Sequence, residues 1–111
     1  MRNAHTANPA DYFRELGGLL QKTQVTAADG ATASLDEGSK KAVGLILAAK
    51  SSGSKIMLIG NGGSAAIVSH IQNDLCDAVG VRAIVFNEAA FLTAVANDRG
   101  YETFFNEAVK L

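Results

Sequence analysis

The sequence predicts an α/β fold: a parallel sheet with flanking helices, preceded by two N-terminal helices. Three observations support it. Helical periodicity fills the first half of the chain. Two short strand-like segments, the apolar run Ile56-Met57-Leu58-Ile59 and then Arg82-Ala83-Ile84-Val85-Phe86, follow it, and a glycine-rich turn with a helical stretch joins them.

The first helix opens at Asn8-Pro9-Ala10-Asp11, with an N-cap side chain, proline in the first turn and an early acid facing the dipole. Tyr12, Phe13, Leu16, Leu19 and Leu20 then recur at helical spacing, and Gly17-Gly18 permits close packing or a bend. Residues 27–32, centred on Asp29-Gly30, read as a loop. A second helix opens at Ser34, where Ser34 and Glu37 form a capping box that satisfies the free donors at the helix start. Val43, Ile46 and Leu47 supply its buried face, and Ser51-Ser52-Gly53 ends it. These helices carry no recognisable chemistry, so residues 1–54 are assigned to packing and oligomer formation.

From Lys55 the pattern alternates between strand and helix. The run at residues 56–59 suits a strand buried on both faces. Gly60-Asn61-Gly62-Gly63-Ser64 follows, then a helix over residues 65–78 with a core stripe of Ile67, Ile71, Leu75 and Ala78. After the second strand, Asn87 is expected to cap a helix through Phe91, Leu92 and Val95, which Asp98-Arg99-Gly100 breaks before a last helix from Tyr101. Short connections between such elements imply right-handed crossovers. Two strands make no stable doubly covered sheet, and the pattern stops inside a helix, so residues 55–111 are expected to be only the first half of a domain.

Composition bounds the function. With 111 residues, 48% of them hydrophobic and 19% charged, the chain suits a packed domain and not a disordered one. A net charge of -1 supplies no basic face for nucleic acid. No apolar run is long enough to cross a membrane, and Met1-Arg2-Asn3-Ala4-His5 lacks the apolar run of a secretory signal. His5 is read as decoration. The lone Cys76 fits a reducing compartment and is read as a small buried hydrophobe, which points to the cytoplasm.

The chemistry concentrates at Gly60, Asn61, Gly62, Gly63 and Ser64. Glycines let the backbone turn sharply and approach a ligand, and bare N–H groups at a helix start suit phosphate. Asn61 and Ser64 add side-chain hydrogen bonds for sugar hydroxyls or phosphate oxygens. The same residues satisfy the dinucleotide fingerprint through Gly60, Gly62 and Ala65, but Glu88, the only acid available for a ribose, comes late. His70 and Asp74, four apart, share one helix face. They read as a divalent-metal pair, as a general base with its neighbour, or as a solvent-facing helix pair. Asn97 and Asp98 fall near the carboxyl edge of the sheet, where open α/β folds bind ligands.

Over residues 56–109 the chain resembles the sugar isomerase (SIS) domain family, closest to its phosphoheptose isomerase branch. The resemblance rests on Gly60-Asn61-Gly62-Gly63-Ser64, His70, and Ala96-Asn97-Asp98-Arg99-Gly100-Tyr101 in the family's order and spacing. It implies a flavodoxin-like three-layer fold and a homo-oligomer, a dimer or tetramer packed through the leading helices. It also implies a phosphorylated-sugar ligand such as sedoheptulose 7-phosphate, held by Asn61 and Ser64 with Asp98 at its edge. His70 matches a position that binds zinc in some members. Asp74 falls where the isomerases carry a glutamate base and, in some members, a metal ligand; aspartate is one methylene shorter. The chemistry implied is aldose–ketose exchange through an enediol. The family's Ser-rich phosphate loop, distal histidine and glutamine ligand fall beyond Leu111. The segment at residues 94–99 resembles a catalytically silent relative that binds the bacterial replication initiator at least as much as it resembles the isomerases, and that relative supplies the alternative.

Overall fold

The computed structural model describes residues 8–110, so His5 lies outside the described residues. Two compact units are present, Met1–Val43 and Gly44–Leu111. Ile46 and Ala49 of the second helix pack into the core of the second unit.

In the first unit, α1 (Pro9–Gln21) begins as its caps dictate: Asn8 Oδ1 accepts the Asp11 N–H at 2.9 Å, and proline occupies the first turn. None of its residues is buried. The predicted loop is the tip of a small antiparallel hairpin, β1 (Val25–Thr26) and β2 (Thr32–Ala33), whose two-residue strands are too short to show a period. Gly38 is buried against Val25, where an added Cβ would lie 2.4 Å from a Val25 methyl.

Helix α2 (Leu35–Ser51) follows the capping box. Glu37 Oε2 accepts both the Ser34 N–H, at 3.0 Å, and its hydroxyl, at 2.7 Å. Its expected buried face is corrected. Val43 and Leu47 are exposed, while Ile46 and Ala49, three apart, pack inward.

The second unit holds a two-stranded parallel sheet, β3 (Lys55–Leu58) and β4 (Arg82–Val85), in register from Lys55 opposite Arg82 to Leu58 opposite Val85. This is an α/β arrangement with flanking helices. The expectation that β3 is buried on both faces is corrected: Ile56 and Leu58 pack inward, whereas Lys55 and Met57 are exposed on the other face. Helix α3 (Gly63–Asp74) starts two residues earlier than expected, and its last turn widens into a π turn, Leu75–Val79. Gly80, at φ 71°, ends that turn, and Lys50 Nζ donates to the Val79 carbonyl at 2.6 Å.

The inward face of α3 runs through Ala65, Val68, Gln72 and Leu75 to Val79, so Ile67, Ile71 and Ala78 of the expected stripe are exposed. Gln72 belongs to the packed face because its Nε2 donates to the Ala83 carbonyl at 3.2 Å. Cys76 is also corrected. Leu75 takes the core position, one residue's rotation leaves Cys76 exposed, and its thiol lies 3.6 Å from the same Ala83 carbonyl.

Leu75, Val81 and Ala83 form the core against Ile46, Ala49, Ile56, Leu58 and Val79. Helix α4 (Ala89–Arg99) precedes a 3-10 turn (Tyr101–Thr103) and α5 (Phe104–Ala108) where one continuous helix from Tyr101 was expected. Phe104, 1% exposed, packs 5.7 Å from the Phe91 ring and 5.0 Å from that of Phe105. No helix among the described residues is long and apolar enough to cross a membrane.

Candidate functional site

The turn from β3 into α3 is tight because its first glycine leaves no room. A Cβ on Gly60 would sit 2.7 Å from the Ser64 carbonyl carbon and oxygen and 3.0 Å from the Ala65 nitrogen. Gly62, the N-cap, adopts φ 55° and ψ -123°, a conformation that side chains disfavour. Two amides close the turn, Ser64 N–H onto the Asn61 carbonyl and Ala65 N–H onto that of Gly62, each at 3.0 Å. The amides of Asn61, Gly62 and Gly63 have no backbone acceptor among the described residues. Three donors at the start of a twelve-residue helix suit an oxyanion.

Gly60, Asn61 and Gly62 line a hollow of about 230 Å³, together with Ala65, Ser69, Asn87 and Tyr101. Gly63 and Ser64 follow at the exposed first turn of α3 and do not line it. Three polar side chains there were missed as site residues. Tyr101 donates its phenol proton to Asn61 Oδ1 at 2.7 Å. Asn87 Nδ2 donates to the Ala65 carbonyl at 3.0 Å and to Ser69 Oγ at 2.7 Å, tying the end of β4 to the first turns of α3.

Asn87 is therefore not the cap of α4. Glu88 is: its carboxylate accepts the Ala90 N–H at 3.0 Å and the Phe91 N–H at 2.6 Å. The bond from the Phe91 amide, then that from Ala90, hold the Glu88 carboxyl below the ordinary carboxylate range. Both oxygens are committed to the helix start, which removes the acid a dinucleotide ribose would need.

The remaining predicted residues stand elsewhere. Asp98 accepts from Asn97 Nδ2 at 2.9 Å and lines a separate hollow with Phe91, Arg99 and Glu107. There Glu107 pairs with Arg99 and, at 2.8 Å, with Lys110, whose hydrogen bond is the main cause of its lowered pKa. His70 Nε2 and Asp74 Oδ2 are 3.6 Å apart on the open surface of α3, 79% and 56% exposed. Asp74 lies ten residues beyond Ser64, about 15 Å along the helix axis, and does not line the Gly60 hollow. Among the described residues no three His, Cys, Asp or Glu side chains group as metal ligands. A catalytic zinc takes about three protein ligands, so His70 and Asp74 alone do not complete such a site.

Comparison with known proteins returns phosphoheptose isomerases. The chain is 35% identical over 77 residues to the phosphoheptose isomerase of Burkholderia pseudomallei (strain K96243), a match covering 64% of this chain and 39% of the relative. It is 38% identical over 73 residues to that of Aquifex aeolicus, covering 60% and 38%, and 37% identical over 82 residues to that of Helicobacter pylori, covering 68% and 43%. The chain thus spans about two fifths of the length of the curated relatives it matches. No family model and no solved structure matches it.

Proposed function

We propose that this phosphoheptose isomerase-like chain binds a phosphorylated sugar at the turn between β3 and α3. We assign it to a SIS-type aldose–ketose isomerase acting on a heptose phosphate such as sedoheptulose 7-phosphate. One observation supports the binding half of the reading: at the head of α3, three amides without a backbone acceptor among the described residues lie beside a hollow whose mostly apolar wall carries the polar side chains of Asn61, Ser69, Asn87 and Tyr101. The relatives' names support the reaction class and do not favour a binding-only regulator.

Asn61, Gly62, Gly63 and Ser64 would hold the phosphate through backbone and side-chain donors; Asn97 and Asp98, which the resemblance puts at the ligand's edge, stand apart from that hollow. Asp74 would be the base, taking the proton from the carbon beside the carbonyl. The C–H electrons then form the C=C bond of the enediol as the carbonyl oxygen takes up a proton; loss of the hydroxyl proton on the first carbon and return of a proton to the former carbonyl carbon complete the exchange. His70 and Asp74 would offer only two of the ligands that a zinc ion takes, so no step is routed through one. The base role of Asp74 does not depend on it.

Calorimetry of the chain with sedoheptulose 7-phosphate tests the binding half. For the reaction, the matching span of a phosphoheptose isomerase is replaced by this chain. Asp74→Asn in that chimera is expected to abolish turnover while leaving phosphosugar binding intact. Undiminished turnover in Asp74→Asn would remove Asp74 from the mechanism, and absence of binding to the unaltered chain would overturn the whole reading.

A further inference from the structure

We infer that Tyr101 is a positioning residue for the glycine turn: it holds the Asn61 carboxamide by its oxygen, so that the amide N–H donors are what the ligand meets. This rests on the phosphosugar reading above and adds to it the residue that sets the polarity of the site.

An asparagine side chain offers an acceptor on one side and two donors on the other, and rotation exchanges them. An ionised phosphate oxygen only accepts, so an Asn61 that presented its own oxygen would repel the ligand that the three neighbouring amides attract. The backbone at this turn does not settle the matter, since Asn61 lies between two glycines. Tyr101 does. It stands forty residues away in sequence, on the 3-10 turn that begins after Gly100 at φ 89°.

Its phenol oxygen is 2.7 Å from Asn61 Oδ1, and both residues line the same hollow. A phenol donating to Oδ1 occupies the carboxamide's acceptor and leaves Nδ2 to the ligand. On the turn itself, the side-chain donors of Asn61 then join the backbone N–H groups of Asn61, Gly62 and Gly63. Such a constellation selects an anion and discriminates against an ammonium or another donor-rich ligand.

The test is a double-mutant cycle on the 111-residue chain, with affinity for inorganic phosphate and for sedoheptulose 7-phosphate read by calorimetry. Tyr101→Phe is expected to weaken both ligands about threefold to tenfold, the worth of one hydrogen bond. Added to Asn61→Ala, it is expected to cost nothing further. Asn61→Asp, which keeps an acceptor for the phenol but removes the donors and adds a negative charge, is expected to abolish phosphate binding.

A readout on the unaltered chain needs no variant. The Asn61 side-chain nitrogen–proton pair should shift as phosphate is added; in Tyr101→Phe that shift should shrink while the backbone signals of α3 persist. Native-like affinity in Tyr101→Phe, or an equal loss on the Asn61→Ala background, would overturn the inference and leave the phosphosugar reading standing. If the unaltered chain binds neither probe, both fall.

Discussion

Alanine in place of Gly60 tests whether the approach of β3 to the head of α3 is as close as the structure has it. The added Cβ would lie 2.7 Å from the Ser64 carbonyl carbon and oxygen. Both are backbone atoms, so no side chain can rotate away, and the first turn of α3 must retreat by several tenths of an ångström. Overpacking of this kind costs about 1–3 kcal/mol. With a urea slope of about 1.5 kcal/mol/M, a loss near 2 kcal/mol lowers the unfolding midpoint by roughly 1 M.

Two neighbours serve as controls in the same assay. Gly62→Ala meets no atom within 4 Å but inherits φ 55° with ψ -123°, and should lose about 1–3 kcal/mol through backbone strain alone. Gly63→Ala has open space and an ordinary φ, so it should be neutral or gain about 0.4–1 kcal/mol. Equal damage from Gly60→Ala and Gly63→Ala, or a harmless Gly60→Ala, would refute the geometry on which the site is built.

Asn87→Ala removes both hydrogen bonds to α3 and should destabilise the chain by about 1–3 kcal/mol in urea unfolding, with faster amide exchange at the start of α3. Acid should weaken the fold in a defined direction. The Glu88, Glu37 and Glu107 carboxyls are all held below the ordinary value of 4.5, by the Phe91 amide, the Ser34 hydroxyl and the Lys110 ammonium respectively. Their contribution is therefore complete above that value and lost as pH falls through the lowered ones. Thermal midpoints followed downward from about pH 6 should drop mainly below about pH 4.5, and Glu88→Gln should flatten that slope. In the chimera, Asp74→Glu restores the missing methylene and should raise turnover by up to about a hundredfold; unchanged turnover would show that reach is not limiting.

The features legible in the sequence were those whose causes lie within a few residues. Asn8 caps α1 and Ser34 pairs with Glu37 because each bond spans three residues, so spacing alone reveals it. The glycine turn was legible for the same reason. Where partners are remote, local rules misled. Asn87 is a better cap by type than Glu88, yet Ala65 and Ser69, from another element, draw its side chain away.

The packed face of α3 was hidden because one of its members is polar. Gln72 is held inward by the Ala83 carbonyl of β4, while the more apolar Ile67 and Ile71 lie outside. Tyr101 stood in the quoted family segment but could not be tied to Asn61, since forty residues of chain separate the phenol from its acceptor. A tyrosine directly after a helix-ending glycine was the only local signal available.

The most direct test is a nitrogen-15 titration of the chain with sedoheptulose 7-phosphate, following each backbone amide. Saturable shifts should be largest at Asn61, Gly62 and Gly63, whose donors have no backbone acceptor among the described residues, and small at Ala65, whose amide already closes the turn. A spectrum unmoved at millimolar ligand, or shifts confined to residues away from the head of α3, would contradict a phosphosugar cradle there.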